Sequence, residues 1–213
     1  MSRDTESSCK RCRALNEKLY LKGERCYNDD KCSYKRRPYP PGHMGRLSRR
    51  ARGATEYAVQ LREKQKARVI YGITEQQFRN YFEKASKKGG VTGIILFQLL
   101  ETRLDNVVYR LGFADSRALA RQLVRHRHIQ VNGRIIDIPS YKAKSNDVIS
   151  VKDKSKKLQR IRDAANNAAA RARIPAWLET NPLELRGTVL EIPDRDKLNI
   201  PVQEHLIVEF YSR

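Results

Sequence analysis

The chain has 213 residues, enough for one ordinary domain or two small ones, and its 39% hydrophobic content supports real but modest cores. Lys plus Arg number 44 against 24 Asp plus Glu, so the formal net charge is +20. Such self-repulsion is relieved by a polyanion, which makes nucleic acid the first candidate partner and a membrane surface the second. The most apolar run, 91–100, is interrupted by Thr92, Gly93 and Gln98 and is far too short to span a bilayer. Residues 1–9 carry Arg3, Asp4 and Glu6 and lack the apolar core of a secretory signal, so the expected location is the reducing cytoplasm.

All four cysteines fall at Cys9, Cys12, Cys26 and Cys32, two pairs separated by thirteen residues. In a reducing compartment this spacing favours metal over disulfides. Four thiolates suit tetrahedral zinc, and an iron–sulfur cluster is the alternative. Lys10, Arg11, Arg13 and Lys31 crowd the cysteines and would offset thiolate charge or meet phosphates. The stretch Lys35-Arg36-Arg37-Pro38-Tyr39-Pro40-Pro41-Gly42 follows, where proline favours an extended path.

From Thr55 to about Tyr71 the pattern is helical, and Gly72 offers a stop. Thr74 with Gln77 forms a capping box before Phe78, Tyr81, Phe82 and Ala85, an amphipathic helix. A third helix is expected from about Thr92 to Leu104, and the three can share a small core. Ser116 caps a helix with Leu119, Ala120, Leu123 and Val124 inward, and Arg117, Arg121 and Arg125 as an exposed stripe. Asn132-Gly133 between β-branched residues predicts a type I′ hairpin over 129–136, with a further strand over 147–151. Residues 152–173 read as an alanine-rich, basic, mostly exposed helix ended by Ile174-Pro175. Irregular structure with short strands should follow, and 204–211 fits helix and strand equally.

The arginine helix leads through Arg125-His126-Arg127-His128 into the hairpin, and no acidic residue lies between Ser116 and Ile136. A contiguous basic face of this kind suits a phosphate backbone better than bare solvent. His126 and His128 lack an adjoining Cys, Asp or Glu and are poor metal ligands.

Three segments carry a family resemblance: 103–113 (RLDNVVYRLGF), 120–124 (ARQLV) and Ile129 with Val131-Asn132-Gly133. They resemble the RNA-binding module named after small-subunit ribosomal protein four. The segments 19–26 (LYLKGERC), 61–66 (LREKQK), 70–72, 77–80, 204–206 and 211–212 are similar to the ribosomal family itself, so the resemblance covers nearly the whole chain. Two features depart from the family's metal-binding form: the second cysteine pair has one extra intervening residue, and Gly42-His43-Met44-Gly45 replaces Gly-Gln-His-Gly.

The resemblance implies an α+β protein: a metal-binding N-terminal extension (1–45), a small helical domain (46–98), an inserted helix plus β-hairpin RNA-binding module with a basic helix (99–189), and a C-terminal segment (190–213) returning to the helical domain. It implies a non-enzymatic, monomeric constituent of the small ribosomal subunit that binds the five-way junction in the 5′ domain of its RNA early in assembly. Messenger RNA at the channel by which it enters and small-subunit ribosomal protein five are the further implied partners, with an influence on decoding accuracy. The implied RNA-binding residues are Lys35, Arg36, Arg37, Arg49, Arg50, Arg52, Arg103, Arg110, Arg117, Arg121, Arg125, Arg127, His128, Asn132 and Lys142. Arg49, Arg50 and Arg52 lie where the family's messenger-facing cluster sits.

Two rivals belong to other classes. A pseudouridine synthase would use the same module, and Arg103-Leu104-Asp105 matches a catalytic tripeptide, but Asn106-Val107-Val108 replaces the usual Thr-Ser-Gly. The sequence therefore favours Asp105 as a turn residue or an arginine partner. A zinc-containing DNA-binding regulator would not explain basicity spread over the whole chain.

Overall fold

A computed structural model describes residues 6–43, 55–171, 174–198 and 200–212. Its helices, in chain order, are α1 (Ser8–Leu15), α2 (Glu24–Tyr27), α3 (Ser33–Arg36), α4 (Glu56–Tyr71), α5 (Glu75–Ser86), α6 (Thr92–Glu101), α7 (Leu104–Arg110), α8 (Arg117–Arg125), α9 (Gln159–Ala170) and α10 (Glu204–Ser212). The strands are β1 (Ile129–Val131), β2 (Arg134–Ile135), β3 (Val148–Val151), β4 (Leu178–Asn181) and β5 (Arg186–Val189). The chain divides into two compact units, residues 1–93 with 201–213, and residues 94–200. No helix among the described residues is long and apolar enough to cross a membrane.

In the first unit, Thr55 caps α4 by accepting from Ala58 N–H, and Gly72 closes it at φ +63°. The capping box expected at Thr74 and Gln77 forms at the start of α5. The ambiguous C-terminal run is helical and packs on α4. Tyr211 stacks on Phe82 at 4.5 Å between ring centres, and its hydroxyl donates to Glu75 at 3.0 Å, where the Lys64 ammonium also binds at 2.8 Å. Burial and the Glu75 carboxylate push the Tyr211 phenol well above its ordinary range. Residues 190–200 group with the second unit, and the chain from 201 onward groups with the first.

The third helix departs from expectation. It stops at Glu101, and from Ile94 it belongs to the second unit, so α10 takes the place beside α4 that the sequence suggested for it. The break has a tertiary cause. Arg103 bridges antiparallel to Lys142, with Leu104 N–H donating to Tyr141 O at 2.8 Å and Ala143 N–H to Thr102 O at 2.9 Å. Arg103 then starts α7, a separate helix.

The second unit holds an antiparallel sheet in the order β2-β1-β3-β5-β4. Asn132 (φ +48°) and Gly133 (φ +78°) make the expected hairpin turn between β1 and β2. β3 pairs with β1 through Val131 opposite Ile149, and with β5 through Ile149 opposite Gly187. The short strands expected after Trp177 are β4 and β5, and they complete a five-stranded sheet. Ile129, Ile149, Val189 and Trp177 join Leu104, Leu111, Leu119 and Ile161 in one core. The mostly exposed helix over 152–173 is also corrected: α9 is shorter and buries Ile161, Ala164, Ala165 and Ala168. Alanine permits that close approach, which brings the Ala168 methyl against Gly112.

Candidate nucleic-acid interface

The basic face begins with α8, capped by Ser116 accepting from Leu119 N–H at 3.3 Å. Its inward residues are those expected, but the arginine stripe is not uniformly exposed. Arg125 is exposed and has no acidic partner among the described residues, whereas Arg117 is half-buried and Arg121 is buried. Arg121 Nη1 donates to Asp105 Oδ2 at 3.2 Å, and Arg103 grips the same carboxylate through Nε (3.0 Å) and Nη2 (2.7 Å). Burial holds the Arg121 guanidinium below its ordinary range despite the pull of Asp105.

Glu101 organises a second cluster. Arg110 binds it through Nε (2.9 Å) and Nη2 (2.8 Å), and the Asn106 amide donates to it at 2.7 Å. Arg117 Nε donates to Asn106 Oδ1 at 2.7 Å, while its guanidinium lies 4.5 Å from the centre of the Tyr109 ring. Four expected RNA ligands, Arg103, Arg110, Arg117 and Arg121, are therefore held by internal acceptors. The acids Glu101 and Asp105 were the unread signal: they stand four residues apart, with arginines two, nine and sixteen positions away. Asp105, enclosed by two arginines, is no free general base.

Beyond α8 the surface is better supplied. Arg125, Arg127, Arg134, Lys142 and Lys144 are all exposed around the helix, the hairpin and the loop that follows. Arg127, at φ +62°, pairs loosely with Asp137 at 3.0 Å. His128 Nδ1 lies 2.8 Å from Ser155 Oγ, and burial together with His126 and Lys152 pulls its pKa below the usual imidazole value. Asn132 is a strut: its amide donates to Asp147 at 2.9 Å and its carbonyl accepts from Val148 N–H at 2.9 Å. Arg134 and Lys144 were not among the expected residues, and the structure places both on this exposed surface.

In the first unit Cys9, Cys12, Cys26 and Cys32 line one narrow cavity. Leu19 N–H donates to Cys12, and Lys22 N–H to the Cys26 sulfur at 3.3 Å. Burial, helped by the neighbouring thiols, pushes Cys12 and Cys26 upward in pKa. The thiol chemistry and its backbone donors fit a soft metal, although no group of three or more His, Cys, Asp or Glu side chains among the described residues is arranged to hold an ion. Lys35, Arg36 and Arg37 are exposed on and just beyond α3. Arg49, Arg50 and Arg52 lie outside the described residues.

Residues 3–101 match the family described as the ribosomal protein S4/S9 N-terminal domain, and residues 102–149 match the S4 domain. The chain is similar over its whole length to small ribosomal subunit protein uS4A of Symbiobacterium thermophilum, 57% identical with 100% of both chains covered. It is 56% identical to uS4 of Thermus thermophilus over 96% of both chains, and 55% identical to uS4 of Pelotomaculum thermopropionicum over 100% of both.

Proposed function

The chain belongs to the small ribosomal subunit protein uS4 family, and from that premise we propose that it is a structural constituent of the small subunit that binds the five-way junction in the 5′ domain of small-subunit ribosomal RNA. The observation that carries the binding surface is the run of exposed cations on α8, the hairpin and the next loop, seated on a buried apolar core. Arginine forks bind phosphate oxygens, and a rigid helix-hairpin unit recognises the shape of folded RNA without a base code. Arg125, Arg127, Arg134, Lys142 and Lys144 make the phosphate contacts. Arg103 and Arg121 set the helix in position.

Three further elements rest on family likeness and composition. Arg49, Arg50 and Arg52 face messenger RNA at the channel by which it enters. A contact with small-subunit ribosomal protein five influences decoding accuracy. Cys9, Cys12, Cys26 and Cys32 would hold one zinc ion or iron–sulfur cluster. Such a group neutralises the thiolates and cross-links a segment with little apolar core of its own.

The test is binding of the full chain to a 5′-domain RNA fragment over a range of salt, with an unrelated duplex as competitor. Replacing Arg125, Arg127 and Arg134 together by glutamine should reduce the slope of log affinity against log salt by about two to three units. An unchanged slope in a folded variant would remove this face from the interface. Equal affinity of the unsubstituted chain for both RNAs would defeat the junction reading.

A further inference from the structure

A concavity of about 360 Å³ lies beside α1 and α3, lined by Ser7, Cys9, Lys10, Arg13, Ser33, Arg36, Arg37 and Pro41. No carboxylate contributes to its lining. Elsewhere the chain often neutralises its cations internally: Lys18 pairs with Asp29, Lys64 with Glu75, Lys66 with Glu17 and Arg110 with Glu101. Beside this concavity Arg11 pairs with Glu6 at 3.2 Å, but the cations that line it are not paired in this way. Lys10, Arg36 and Arg37 are exposed and have no acidic partner among the described residues.

Arg13 supplies a preset edge. Its Nε donates to Tyr39 O at 2.9 Å and its Nη2 to Pro40 O at 3.3 Å, while the guanidinium lies 4.8 Å from the centre of the Tyr39 ring. These contacts satisfy two donor positions with neutral acceptors, so its full positive charge still faces the concavity. Two hydroxyls, Ser7 and Ser33, complete the rim, and Ser7 makes no capping bond to its own helix. α1 also has no acid in its first turn, so its dipole favours an anion rather than an attached carboxylate. The helix terminus adds to the four side chains and would not make a site without them.

We propose that this concavity is a discrete phosphate seat for an RNA backbone, with Lys10, Arg36 and Arg37 closing on a phosphodiester against the fixed Arg13 edge. The proposal deepens the RNA-binding reading above and rests on it. It assigns Lys10, Arg13, Ser7 and Ser33 to a site beside Arg36 and Arg37, and leaves Lys35, which does not line the concavity, outside it. The seat also shares Cys9 with the cysteine cavity, so ordering of the cysteine segment shapes its wall.

The test uses the full chain and a triple variant Lys10→Gln, Arg36→Gln, Arg37→Gln, with Lys84→Gln, Lys87→Gln, Lys88→Gln as a control of equal charge change on the exposed end of α5. The 5′-domain RNA fragment is titrated across several salt concentrations, and inorganic phosphate is titrated separately while the amide signals of 7–13 and 33–37 are followed by NMR. Circular dichroism confirms that each variant is folded. The pocket variant should bind RNA about tenfold more weakly, with a slope flattened by about one unit, while the control stays within about twofold. Phosphate should give saturable shifts at 7–13 and 33–37 that the pocket variant loses. If the unsubstituted chain binds RNA and both variants weaken it equally, the seat is refuted and the wider RNA reading stands. If phosphate saturates the seat while the pocket variant keeps full RNA affinity, the ligand is a free anion and the assignment to RNA backbone is overturned. If the unsubstituted chain binds neither the RNA fragment nor an unrelated duplex, the RNA reading fails and the assignment to RNA backbone fails with it.

Discussion

Arg121 Nη1 sits 3.2 Å from Asp105 Oδ2, and both side chains are almost wholly withdrawn from solvent. The middle arginine of the stripe is thus a structural cation, while Arg125 one turn later is exposed. Removing one member of a buried pair strands the other, although Arg103 still partners Asp105 here. Arg121→Gln should therefore destabilise the chain by about 2–4 kcal/mol in urea unfolding, with Arg125→Gln within about 0.5 kcal/mol of the unsubstituted protein. RNA affinity should follow the opposite order when both variants are measured fully folded. Equal stability of the two variants would contradict the buried role of Arg121.

Gly112 and Gly133 separate steric crowding from backbone strain. Both have φ near +80°, but a Cβ on Gly112 would come within 2.4 Å of the Ala168 Cβ, whereas one on Gly133 would meet nothing within 4 Å. Gly133→Ala should cost about 1 kcal/mol from the positive φ alone. Gly112→Ala should cost about 3 kcal/mol or more, since α9 must move away as well. Comparable unfolding midpoints for the two variants would show that α9 yields freely.

His128 makes stability depend on pH. Its folded pKa lies below the ordinary value of about 6.5, so the unfolded chain takes up the proton more readily. Its contribution is present above that ordinary value and is lost as pH falls through the lowered folded pKa. The urea midpoint of the unsubstituted chain should drop between pH 7.5 and pH 5 by more than that of His128→Gln. Parallel pH profiles would assign the acid sensitivity to other groups.

Metal removal should act on the first unit alone. Elemental analysis of the purified chain should find about one zinc ion or iron–sulfur cluster per molecule, and dialysis against a strong chelator should release it. Hydrogen exchange at 8–36, where short helices depend on bonds such as Cys26 N–H to Gly23 O at 2.8 Å, should then accelerate, with the sheet amides of the second unit unchanged. Metal-free protein with the same protection at 8–36 would remove the structural role of the cysteines.

Local chemistry was legible wherever a few neighbouring residues decide the outcome. The Thr74 capping box, the Gly72 stop, the Ser116 cap and the Asn132-Gly133 turn each depend on one or two side chains and their φ preferences, and each is present. Net charge, the cysteine spacing and the motif over 103–113 likewise belong to the chain itself. Tertiary packing decided the rest, because burial and charge pairing depend on partners distant in sequence. Residues 139–143 break α6 by pairing with 102–105. β5 finds β3 across more than thirty residues, and the apolar, alanine-rich face of α9 becomes core only because other elements cover it. Periodicity could place Arg117, Arg121 and Arg125 on one helical face, but Asp105 lies in another helix. Only the fold brings that carboxylate to Arg121 and leaves Arg125 exposed.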